Sequence, residues 1–149
     1  MAILITDMCT GIKEVVELAT GVQRAYDYNE MPEAVGNADT PAVVVYFQSL
    51  EEDPTNETSG STFNHKVRQR NWIFHVDVLA EQRSHLAENN KKMCEMADAI
   101  IDTLETQDSR PFFGVAGAQQ FKFTAERVVI NLGAVDFYGI RFIITVRSF

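Results

Sequence analysis

Histidine is scarce in this chain, and the arrangements that make histidine a catalyst or a ligand are missing altogether. His65, His75 and His85 stand ten apart with no H-x-x-x-H pattern, so no zinc site is expected. Cysteine is as thin. Cys9 and Cys94 are the whole supply, without a C-x-x-C, which excludes a disulfide framework. Each sits in a helix-like pattern and is expected as a reduced core residue. Apolar runs stay far below membrane-spanning length, and the apolar start Met1 to Ile5 lacks the basic region and cleavage site of a leader. A cytosolic origin without membrane attachment is expected, and the sequon Asn56-Glu57-Thr58 is read as chance. Gly114-Val115-Ala116-Gly117 lacks the Lys and Ser or Thr of a phosphate loop. With no nucleophile beside a base and no paired carboxylates, the expectation is a protein that is not an enzyme and holds no cofactor or metal.

Basic residues are rare in the first part. Through Gly60 eleven Asp and Glu face only Lys13 and Arg24, a balance of -9 that the remainder, at +1, brings to the net -8. Non-specific DNA binding needs clustered Lys and Arg, so an acidic chain is a poor candidate for it. Acidic walls would instead let DNA slide past.

What is present suits one domain spanning 1-149, 46% hydrophobic and 23% charged. The stretch Lys66 to Ala80 organises it. Reading by twos from Trp72, the residues Trp72, Phe74, Val76, Val78 and Ala80 share one face, expected as core, while Ile73, His75, Asp77 and Leu79 share the other. A strand this long exceeds the usual length, so its polar half Lys66 to Asn71 is expected to project or to pair with another chain.

Thr6 or Asp7 can cap a first helix carrying Met8, Ile12, Val15, Val16 and Ala19, which Gly21 ends. Val22 to Tyr28 alternates as a half-exposed strand, Asn29 to Thr40 is turn-rich, and Ala42 to Phe47 reads as a buried strand. A polar loop, Glu51 to Asn64, separates it from the long strand, with which it should pair antiparallel. Ser84 caps a second helix with Leu86, Met93, Ala97, Ile100, Ile101 and Leu104 on one face. Met93, Met96 and Cys94 are read as core filler there. Gln107 to Ala118 is a loop. Strand patterns follow in Phe121 and Phe123, Val128 to Leu132, and Ile140 to Val146, with a turn over Gly133 to Gly139. The class is α+β, a mostly antiparallel sheet with two main helices on one face, Phe142 joining its core.

Two constellations invite a functional reading. Lys66, Arg68 and Arg70 form a basic stripe, expected either as a solvated strand face or as a complement to the acidic loop of a neighbouring copy, with Glu51, Glu52, Asp53 and Glu57. His75 and Asp77 share a strand face. They are expected as a polar pair at a sheet rim or subunit contact, the alternative being a pocket of a small binding module or enzyme.

The order of patterns resembles a known family. A short amphipathic helix, the Pro41-Ala42-Val43-Val44-Val45 strand, an acidic insertion and the Arg70-Asn71-Trp72-Ile73-Phe74-His75-Val76-Asp77-Val78 strand come first. A helix ending Ala97-Asp98-Ala99-Ile100-Ile101-Asp102-Thr103-Leu104 and the Tyr138-Gly139-Ile140-Arg141-Phe142 strand complete it. Nearly the whole chain is similar to the tail terminator (tail completion) proteins of long-tailed bacteriophages, and head-closure and tail-tube proteins share parts of the pattern. The resemblance implies a structural virion protein in the tail-neck region, forming a ring that is usually hexameric. It implies as partners other copies of the chain, the tail-tube protein and the head-tail connector, with DNA a transient passenger. It also implies that the loop Glu51 to Asn64 and the long strand reach neighbours or the tube.

Overall fold

The strand Arg70–Gln82 becomes the middle of a sheet because both of its sides are paired and both of its faces carry apolar residues. A computed structural model of the chain describes residues 3–30, 40–52, 70–82, 86–107, 111–132 and 135–148. In chain order the elements are α1 (Ile5–Val16), β1 (Arg24–Tyr26), β2 (Ala42–Glu52), β3 (Arg70–Gln82), α2 (Leu86–Glu105), a 3-10 turn (Phe112–Gly114), β4 (Gln120–Leu132) and β5 (Val135–Ser148). The five strands lie in the order β1-β2-β3-β5-β4. Every pairing is antiparallel except β1 with β2. The fold is α+β with two helices on one sheet face, as the patterning implies.

The core lies between the helices and that face. Trp72, Phe74, Val76 and Val78 of β3 and Phe142, Ile144 and Val146 of β5 meet Met8, Cys9, Ile12 and Val16 of α1 and Met96, Ile100 and Leu104 of α2. Met93 is buried as well. Trp72 also donates its indole N–H to Ser148 Oγ at 2.9 Å, so its one polar atom is satisfied in the core. Truncating a side chain of this size to Ala costs about 3–5 kcal/mol. Phe74 and Phe142 are fully buried. Cys94 departs from the expected core: it is exposed, whereas Cys9 is buried. One step along α2 turns the side chain about 100° away from the Met93 stripe.

Element boundaries move where tertiary contacts override local signals. α1 starts at Ile5 behind Leu4, which makes no side-chain cap, so Thr6 and Asp7 are inside the helix and not at its cap. Asp7 still favours the first turn through the helix dipole. Gly21, at φ 93°, stands in the turn beyond α1 rather than at its last residue. β1 is only three residues long, shorter than the expected Val22 to Tyr28, but its faces alternate as the pattern implies: Ala25 packs on the helix side, Tyr26 on the opposite side, and Asp27 is buried at its end. Asp27 accepts the Asn29 backbone N–H at 2.9 Å, an Asx turn that stops the strand. The expected cap Ser84 lies outside the described residues.

The second apolar face of the sheet holds a smaller cluster of Tyr26, Ala42, Val44, Leu79, Ile130 and Phe137. It exists because β4 and β5 form one long hairpin. β4 runs unbroken through Thr124-Ala125-Glu126-Arg127, which an edge strand tolerates with solvent on both faces, and β5 begins at Val135. Gly139 is therefore inside β5 and not in a turn. An added Cβ there would overlap the Val78 carbonyl oxygen, beside the bulge between Leu79 and Glu81.

Candidate functional site

The sheet face away from the helices carries a row of charge that crosses three strands, with an apolar residue continuing it on a fourth. In register, Val44, Asp77, Arg141 and Glu126 stand side by side on β2, β3, β5 and β4. One step along the sheet, Tyr46, His75, Ile143 and Thr124 form the next row of the same face.

Asp77 is the hub. Its side chain is only 7% exposed, and its carboxylate accepts Arg141 Nε–H at 2.8 Å, Arg141 Nη2–H at 3.3 Å and the Tyr46 hydroxyl at 3.0 Å. The bidentate fork holds β3 to β5, and Tyr46 ties β2 to both. Removing one partner of such a pair leaves a buried charge uncompensated, a loss of about 3–5 kcal/mol. Tyr46 Oη also lies 3.2 Å from His75 Nδ1, and its single proton is directed at Asp77, so the imidazole must carry its proton on Nδ1 and donate to the phenol.

The electrostatics follow from this packing. Burial first, then the Asp77 charge, pushes the Tyr46 phenol up to about 12, so it remains a donor across the physiological range. Burial, then the Arg141 charge, lowers His75 below its ordinary value, with Asp77 and Glu126 opposing; at neutral pH the ring is uncharged. Hydrogen bonding to Asp77 raises Arg141 further. The arrangement fixes strands and presents a neutral phenol–imidazole edge with a compensated ion pair behind it. Among the described residues no group of three or more His, Cys, Asp and Glu is placed to hold a metal ion. No described helix is long and apolar enough to cross a membrane.

The sequence-predicted residues divide. His75 and Asp77 come together as their shared face requires, but on the central strand and not at a sheet rim. Tyr46 and Arg141 complete the cluster and were not foreseen. Arg141 carried a signal: it is the one cation in the apolar run Gly139 to Val146, and a charge there needs a counter-charge across the sheet. Asp53, Glu57, Lys66 and Arg68 lie outside the described residues, as does most of the expected loop Glu51 to Asn64.

Glu51 and Glu52 are not loop residues. A bulge between Phe47 and Ser49 lets β2 continue, so that Glu51 pairs Asn71 and Glu52 pairs Arg70 in the ladder. Arg70 Nε donates to Glu52 Oε1 at 3.2 Å, which makes the acidic partner of this arginine a residue of its own chain. Arg70 and Asn71 also face Ser148 and Arg147 of β5, so these two belong to the sheet and do not project from it. Beside them Asn71, Gln120, Phe121, Lys122, Thr145 and Arg147 line a shallow depression of about 130 Å³.

Compared with known proteins, the chain matches no protein-family model and has no significant match among curated sequences.

Proposed function

We propose that this chain is a structural virion protein that assembles into a ring on the head-proximal end of a phage tail tube, ends tube polymerisation and offers a joining surface to the head connector. The observation that carries the reading is the order of elements over the whole chain: helix, two strands, the long strand, helix, then two strands, with both helices on one face. That is the order on which the resemblance to tail terminator proteins rests. The polar cluster supports a structural role over chemistry, because Tyr46, His75, Asp77 and Arg141 are spent on one another and join three strands. The ring, hexameric by the same resemblance, would use other copies of the chain, the tail-tube protein and the connector as partners, with DNA passing through.

The test is electron microscopy of the purified protein, alone and mixed with tail tubes. Rings and tubes capped at one end are expected. A chain that stays monomeric and never binds tubes sinks the proposal. Pull-down against the tail-tube protein and against the connector separates a terminator, which binds both, from another neck component that binds the connector alone.

A further inference from the structure

β4 is the last strand of the sheet, so the outward N–H and C=O groups of alternate residues have no ladder partner among the described residues. The edge is long, and its centre is exposed from Thr124 through Arg127. A bare edge of this kind is usually guarded against pairing by a lone charge. Here the charges form a pattern instead. We infer that β4 is a self-complementary docking edge, which pairs antiparallel with β4 of a second copy of this chain about a two-fold axis through Thr124.

Register decides what this edge can pair with. β4 keeps strict alternation against β5 from Gln120 to Leu132, without a bulge. Lys122, Thr124 and Glu126 therefore share the open face, and Phe121, Phe123, Ala125 and Arg127 the helix face. Residues directly opposite in a ladder must lie on the same face, so a two-fold axis perpendicular to the sheet has to pass through a residue and not between two. With the axis at Thr124, Lys122 meets Glu126 of the partner subunit twice over. On the helix face Phe123 meets the partner's Ala125, and Phe121 meets the partner's Arg127, a ring against a guanidinium. Neighbouring axes lose this. At Glu126 the two carboxylates would face each other, at Ala125 each Lys122 would face the partner's Val128, and at Phe123 each Lys122 would face the partner's Thr124. The stretch Phe121-Lys122-Phe123-Thr124-Ala125-Glu126-Arg127 thus selects a single register with itself.

The contact is isologous, and it does not rest on the ring reading. If the chain forms a ring through other surfaces, this edge joins two rings; if it forms none, the edge alone gives a dimer.

The experiment is sedimentation equilibrium on the full chain with Lys122→Glu, with Glu126→Lys and with both together. All three are expected to keep the fold, as judged by circular dichroism, because both positions are exposed; Glu126→Lys sets a cation opposite Arg141, a small cost for a single cross-strand pair. Each single change puts like charges opposite each other twice and is expected to weaken self-association roughly 10- to 100-fold, and the double exchange is expected to restore it. A second arm introduces Thr124→Cys with Cys94→Ser. Antiparallel partners on the axis are separated by about 4.5–5.5 Å between Cα atoms, within disulfide range, so mild oxidation should give a covalent dimer, and Ala125→Cys should not. A wild-type chain that is monomeric at its highest soluble concentration overturns the inference. So do single changes without effect, a double exchange no better than the singles, or the failure of Thr124→Cys to cross-link. Loss of rings or tube capping with this two-fold contact intact would count against the ring alone.

Discussion

At the residue scale the most informative side chain is His75, because its charge state reports the packing around it. Tyr46 from β2, Asp77 from its own strand, Arg141 from β5 and Glu126 from β4 all act on it. Burial and Arg141 prevail, so the native pKa lies below the usual 6.5. In the window between that lowered value and 6.5 the unfolded chain binds a proton that the native chain does not, so stability is full above the window and falls as pH drops through it. The expected outcome is a smaller fall in melting temperature between pH 7 and pH 5 for His75→Gln than for the wild type. Equal falls in the two proteins would show that His75 does not sense this environment. The pairing of His75 with Asp77 was legible in the sequence, since two residues of one strand separated by one must share a face. Tyr46 and Arg141 were not, because they reach Asp77 from strands separated from it by 31 and 64 residues.

At the element scale the hairpin of β4 and β5 departs furthest from what local patterns imply. A glycine near a polar turn reads as part of that turn, yet Gly139 is a mid-strand residue opposite Val128 and Leu79. It is glycine because the Val78 carbonyl oxygen occupies the place of a Cβ. Gly139→Ala is expected to cost more than about 2 kcal/mol, the range for forced backbone displacement in a core, read as a lower midpoint in urea denaturation. A midpoint equal to that of the wild type would mean that β5 can shift away from β3 freely. β2 likewise extends beyond its local signal. Its apolar half announces a strand, but only the match of Glu51 with Asn71 and Glu52 with Arg70 carries the strand five residues further than the apolar run.

At the scale of the whole molecule the sheet has two unlike faces and two unlike edges. One face is closed by α1 and α2, and the other presents the compensated Asp77–Arg141 pair beside exposed charge. One edge is the short β1, which covers only Ala42 to Val44 of β2, and the other is the full length of β4. Such asymmetry suits assembly with other copies. Arg70→Glu tests the basic end of the long strand at this scale. Its ion pair with Glu52 is solvent-exposed, so the fold should lose less than about 1 kcal/mol. If the chain assembles as proposed, ring assembly on tail tubes should weaken, most at low salt where charge is least screened. Capping that is unchanged across salt concentrations would leave Arg70 with its local partner alone.

Periodicity and composition by themselves determined the α+β class, the order of elements and the buried face of Trp72, Phe74, Val76 and Val78 with its helical counterpart Met93, Ile100 and Leu104. These follow from spacing along one strand or helix, which the chain carries locally. Only the tertiary structure decided that Glu51, Glu52, Arg70 and Asn71 are paired within the sheet, that Cys94 is exposed, that Gly139 is inside a strand and that Arg141 and Tyr46 converge on Asp77. Each of these depends on register between distant strands or on the rotation of one helix against them. A shift of one residue in register moves every side chain of a strand to the other face, so no local pattern could have settled them.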